Sequence, residues 1–337
     1  MQRSPLLATA FLSLAWLAAC DAPARENAPD ESASLSASAQ GMSASGDHRH
    51  VFELRDSQGA RSAAGRNGGG TGISYHGGIV LQSGINIQAV YWASAPIYNG
   101  GPAAGTTGAG ANDGSLVGYF LSHVGGSSHY NINSTYKNAS GVALANAVNY
   151  VSYWANNQNV PAAGQSVSDA QIASMLQSGF TSGALTYDPN TLYTVFTAGT
   201  VNLGGGFGTQ YCAYHYHATV NVPGVGSRTI YFAAMPYNNA YPSSCTAGTA
   251  SPNGDPGADR EVNTLVHEIE ETQTDAMGTA WYDNRGYENA DKCAWNFGTT
   301  YTTANGGVAN VTIGGKNFLV QQNWINSGSG GCRIELK

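Results

Sequence analysis

Between Asp255 and Gln273 the chain reads DPGADREVNTLVHEIEETQ, and no other stretch restricts the fold as strongly. Asp255 followed by Pro256 is the pattern of an N-cap with proline at the first helical position, where its missing N–H leaves no bond unmade. Val262, Leu265, Val266 and Ile269 then fall at i, i+3, i+4 and i+7, an apolar stripe that a core has to cover. At about 100° per residue, His267 and Glu271 stand one turn apart and nearly opposite that stripe. Glu268 and Glu270 flank them. Any fold that accepts this helix must pack one side and give the other side either water or a shared cation.

His267-Glu268-x-x-Glu271 matches the logic of a zincin-type metal helix. One face anchors the helix, the other presents two ligands at i and i+4 to a cleft, and the glutamate after the histidine can accept a proton from a water acidified by the ion. The roles expected are His267 and Glu271 as ligands and Glu268 as general base. The usual second histidine is replaced by Glu271, which adds negative charge and shifts preference toward harder ions. The competing reading is a solvated acidic stripe. Downstream, Glu288 is the first choice for a third ligand and Asp291 the second, both close to Cys293; the alternative is a loop cap. His215 and His217 in CAYHYHA share one face of a strand and can serve as ligands or oxyanion donors, or can be half-buried strand residues. His76, His123 and His129 have no partner in the sequence pattern.

The N-terminus sets the compartment. Arg3 precedes the apolar run LLATAFLSLAWLA, which is too short for a spanning helix. It ends in LAAC, Leu17 to Cys20, which resembles a bacterial lipoprotein signal with Cys20 as the lipidated residue. An ordinary signal peptide is the alternative; both export the chain, and lipid at Cys20 anchors it to a membrane. Four cysteines remain: Cys212, Cys245, Cys293 and Cys332. In an exported protein these read as two disulfides, with three pairings open and the sequential one, Cys212–Cys245 and Cys293–Cys332, preferred for its moderate loops.

Residues 21–72 are rich in Ala, Ser and Gly and read as a disordered tether, with His48 and His50 as solvated side chains. From 73 onward strands and helices are expected over 78–93, 115–124, 191–198, 217–222 and 228–237. Ser168 and Gln171 form a capping box, with Gly179 at that helix's C-terminal stop. Gly314-Gly315 marks a two-residue hairpin. The formal charge is −7 and only 10% of residues are charged, so clustered Lys/Arg for nucleic acid is missing and that partner is set aside. No Gly-x-Ser-x-Gly elbow occurs, and LGGGFG (203–208) is not followed by a helical pattern, which excludes a phosphate loop.

Taken in order, YTVFTA, Cys212-x-x-His215, the cysteine at 245, His267-Glu268-x-x-Glu271, Ala280-Trp281, Glu288-x-x-Asp291-x-Cys293 and Leu319-x-Gln321-x-x-Trp324 resemble the plant phosphate-induced/EXORDIUM-like proteins and their bacterial relatives. The resemblance covers roughly 73–337. It implies an extracellular domain, tied in plants to growth and the cell wall, and brings no settled reaction. The lipid signal, the tether and His217 depart from the plant pattern, so the growth role is not carried over. The expectation is a single α/β (α+β) domain of zincin-like architecture over 73–337, with a mixed sheet and two disulfides, in the cell envelope of a bacterium or secreted. The leading function is a metal-dependent, peptidase-like hydrolase with zinc as first choice and calcium as the alternative. Its rival is a non-catalytic surface module that contacts extracellular peptide, glycan or wall polymer and holds a structural ion.

Overall fold

The computed structural model describes residues 49–55 and 72–337. The signal peptide, Cys20 and most of the proposed tether lie outside the described residues.

Seven strands form the principal sheet: β1 (His50–Glu53), β2 (Ile85–Trp92), β3 (Thr107–Ala109), β4 (Val148–Trp154), β5 (Thr191–Thr197), β6 (Tyr211–Val222) and β7 (Gly226–Met235). Their spatial order is β1-β6-β7-β5-β2-β4-β3. The four central strands β7, β5, β2 and β4 run parallel, and the hairpin partner β6 and the outer strands β1 and β3 pair antiparallel. The β6–β7 hairpin turns at Pro223 and Gly224, as the sequence predicts.

Strand alternation divides the core. Ile87, Ala89, Tyr91, Leu192, Phe196, Ala213 and Ala233 face one side, where they meet α1 (Leu116–Leu121) and α3 (Pro256–Thr274). Val90, Trp92, Tyr193, Val195, Tyr214 and Phe232 face the other, covered by α2 (Asp169–Ser182). On β6, the period of two puts His215 on the same side as Ala213, facing α3.

Both disulfides take the sequential pairing. Cys212–Cys245 joins β6 to the loop after β7, and Cys293–Cys332 joins the loop after α3 to the C-terminal segment, with Cα–Cα distances of 5.2 and 5.6 Å. Such bonds belong to an oxidising, extracytoplasmic compartment. Among the described residues no helix is long and apolar enough to cross a membrane.

Three expectations change. Gly179 does not stop α2: the helix runs to Ser182, and Gly183 at φ 75° is the left-handed cap. Gly179 is there for clearance, since a Cβ would lie 2.6 Å from Leu185 and 2.7 Å from Trp154. His50 is not solvated. It opens β1, opposite His215, because Phe52 of the same strand is fully buried between Trp295 and His267, at ring-centroid distances of 4.6 and 4.2 Å. Finally, α3 has no solvent face from Glu261 onward. Its polar side is covered by the 3₁₀ turn Tyr130–Thr135, the loop 283–296 and the chain around Gln321.

Candidate metal centre

The motif residues of α3 point inward to a shared polar pocket. His267 Nε2 lies 3.0 Å from Glu271 Oε1 and 3.6 Å from Asp291 Oδ1. The Asp291 backbone N–H donates to Glu271 Oε1 at 3.0 Å, so the loop held by Cys293 is locked to the helix. The Gln321 side chain places its amide nitrogen 3.1 Å from His267 Nδ1 and 2.8 Å from Ala290 O, and thereby sets the ring orientation. A donor at Nδ1 leaves the ring proton on Nε2, facing Glu271. A cation on Nε2 moves that proton to Nδ1 and requires the Gln321 amide to turn its oxygen to the ring.

His215 enters from the sheet. Its Nδ1 is 3.2 Å from Glu268 Oε2 and 3.6 Å from Glu271 Oε2, and its Nε2 is 3.7 Å from Glu288 Oε2. His50 completes the cluster: its Nδ1 is 2.6 Å from Glu288 Oε2, and its ring stacks on His215 at 5.0 Å. Among the described residues, three groups thus have atoms close enough to hold a metal ion: His267 with Glu271 and Asp291, His215 with Glu268 and Glu271, and His50 with His215 and Glu288.

The residues fit a cation. His215 Nε2, His267 Nε2, Glu268 Oε1, Glu271 Oε2 and both Glu288 oxygens are buried without a hydrogen-bond partner. Several orphaned lone pairs in one place are costly unless a charge of the opposite sign sits among them. Burial pushes the carboxyls of Glu268, Glu271, Glu288 and Asp291 well up, and the charge of a neighbouring carboxylate raises each further. Burial also holds both imidazoles below their ordinary range, His215 far below. A bound cation reverses the carboxyl preference and keeps the imidazoles neutral, the form that ligates.

The sequence-derived set is therefore gathered together, with two rearrangements. Asp291, the second choice, joins His267 and Glu271, whereas Glu288, the first choice, turns to His215 and His50. His217 is half-buried and belongs to none of the three groups. His50 and Gln321 were not assigned a role from sequence. The alternation His50-Val51-Phe52-Glu53 after a polar stretch was the available sign of a strand, and Gln321 was visible only as one letter of the Leu-x-Gln-x-x-Trp element. A separate buried pair, His129 Nε2 to Glu270 Oε1 at 3.2 Å, lies on the far flank of α3.

A family model described as the phosphate-induced protein 1 conserved region matches residues 122–323. That span holds every residue of the centre except His50. The chain is also 30% identical over 190 residues to "Protein EXORDIUM-like 3" of Arabidopsis thaliana, covering 48% of this chain and 55% of that protein. It thus spans about half the length of the curated relative that it matches. No solved structure matches the chain.

Proposed function

Because the chain belongs to the phosphate-induced protein 1 family, whose model spans more than half of it, we propose that it is an exported surface domain built around a divalent cation held by His267, Glu271 and Asp291. The ion's work in this form is structural, and the domain's task is binding. The observation that carries this reading is the convergence of orphaned imidazole and carboxylate atoms inside a closed shell. His267, Glu268, Glu271 and Glu288 have no exposed surface, His215 has 1%, and the Asp291 side chain keeps 12%. Burial keeps bulky substrate away from the ion, and with three protein ligands its fourth position would go to a buried water. One histidine with two carboxylates suits zinc or manganese better than calcium, which takes six to eight oxygens. The partner is an extracellular glycan, wall polymer or peptide, and lipid at Cys20 would hold the domain at the membrane. The test is chelation followed by reconstitution with zinc. Apo protein should melt well below the zinc-loaded form, since an ion at 1,000 times its dissociation constant adds about 4 kcal/mol. Equal melting with and without metal would end this reading.

A second reading, a metal-dependent peptidase-like hydrolase, is favoured by one feature. Glu268 Oε1 is buried without a partner beside the ligands, where a carboxylate could take a proton from an attacking water. Glu268→Gln would then keep the metal and lose turnover on a peptide library. Absence of any cleavage by the metal-loaded wild type removes this alternative.

A further inference from the structure

We propose that the domain binds a second divalent cation, at His50 Nδ1, His215 Nε2 and Glu288, and that this ion clasps strand β1 to the sheet. The proposal extends the reading of a cation at His267.

The geometry of this group differs from that of the first. His215 Nδ1 and Glu268 Oε2 share a hydrogen bond at 3.2 Å. With Glu268 ionised, that bond keeps the ring proton on Nδ1 and leaves the Nε2 lone pair to an ion, the arrangement by which a carboxylate behind an imidazole prepares a ligand. His215 is 1% exposed and Glu288 is fully buried, yet neither His215 Nε2 nor either Glu288 oxygen has a hydrogen-bond partner. His50 Nδ1 approaches Glu288 Oε2 to 2.6 Å, close but not aligned as a hydrogen bond. A proton shared by that pair would still leave His215 Nε2 and Glu288 Oε1 unsatisfied. A cation satisfies all three residues.

Each group also brings carboxylates of its own, Glu271 and Asp291 beside His267 and Glu288 beside His215 and His50, so each has a ligand set for its own divalent ion. Neutral His215 ligates through one nitrogen only, so with Nδ1 committed to Glu268 the second ion lies on the His50 side. Glu268 then acts as a positioning residue for His215.

The consequence is mechanical. β1 is four residues long, and among the described residues its ladder runs to β6 at the edge of the sheet. An ion shared by His50 and by two residues of the body would tie this segment to the domain.

The experiment is metal analysis of the full-length chain after exhaustive chelation, reloading with zinc and removal of free ion. Two equivalents per chain are expected for wild type. His50→Ala and, as the more conservative change, Glu288→Gln should each hold one, and Asp291→Asn should also hold one. Far-UV circular dichroism and a cooperative melt confirm that each variant is folded. One equivalent in wild type, unchanged by His50→Ala and Glu288→Gln, overturns the second site and leaves the first standing. Two equivalents retained in both of those variants overturn it as well. One equivalent that survives Asp291→Asn and is lost in His50→Ala supports the clasp and removes the cation from His267. No metal in any form overturns both.

Discussion

α2 and α3 flank the same sheet from opposite sides and reach stability by different routes. α2 buries Ile172, Met175, Leu176, Gly179 and Phe180 along one stripe and leaves most of its polar residues to water. Its ends are settled locally: Ser168 and Gln171 bond each other reciprocally, and Gly183 takes the left-handed cap. α3 begins with a local cap too, Asp255 accepting from the Ala258 amide. Beyond Asp259, however, its polar residues depend on distant chain. Asn263 accepts from the Gln321 amide at 2.7 Å, Gln273 accepts from Asn133 at 2.8 Å, and Glu261 accepts from the Asn238 amide at 3.1 Å. The contrast teaches that a helix completed by its own residues tolerates change. One whose polar face is buried depends on every segment that covers it.

The contrast can be broken at defined points. Leu265→Ala removes a fully buried side chain from the α3 face of the core and should cost about 2–5 kcal/mol by denaturant unfolding; a cost near zero would show that α3 is not anchored there. Glu261 provides a pH test. Burial raises its carboxyl to about 8 from an ordinary 4.5. The folded state therefore prefers the protonated acid. The associated stability is fully present below pH 4.5, falls as pH rises, and is gone above about 8. Wild type should lose stability relative to Glu261→Gln across that window, at no more than about 1.4 kcal/mol per pH unit. A flat difference between the two melting curves would contradict the buried assignment.

On α2 the expected effects are smaller, with one exception that sharpens the comparison. Gly179→Ala drives a methyl into Leu185 and Trp154 and should cost about 1–3 kcal/mol by overpacking, despite alanine's better helix propensity. A stabilised variant would mean that Leu185 and Trp154 yield to the added methyl at little cost. Ser168→Ala removes the cap alone and should cost about 1 kcal/mol, the smallest change of the four. A loss as large as that of Leu265→Ala would erase the distinction between the two helices.

Much of this was legible along the chain because it rests on short-range rules. The caps at Ser168 and Asp255, the β6–β7 and Gly314-Gly315 hairpins and the strand at 191–197 depend on neighbours within a few residues, and they stand where the pattern puts them. The end of α2 was misplaced because a glycine required for clearance looks the same in sequence as one required for a cap. His50 was misplaced because a four-residue strand within a polar stretch of sequence gives too short a period to detect. In the centre, the residue types were visible in His267, Glu271, Glu288 and Asp291, but the grouping of Asp291 with His267 and of Glu288 with His215 was not.

By itself the sequence determined the helix that carries His267 and Glu271, the presence of two disulfides though not their pairing, and the family. Each is written in local spacing or in cysteine number and order. Only the tertiary structure decided that the acidic side of α3 meets no water, and that His215 and His50 arrive on it from the sheet edge. Periodicity fixes which residues of a helix share a face. What covers that face is set by segments tens to hundreds of residues away, whose approach no local pattern encodes.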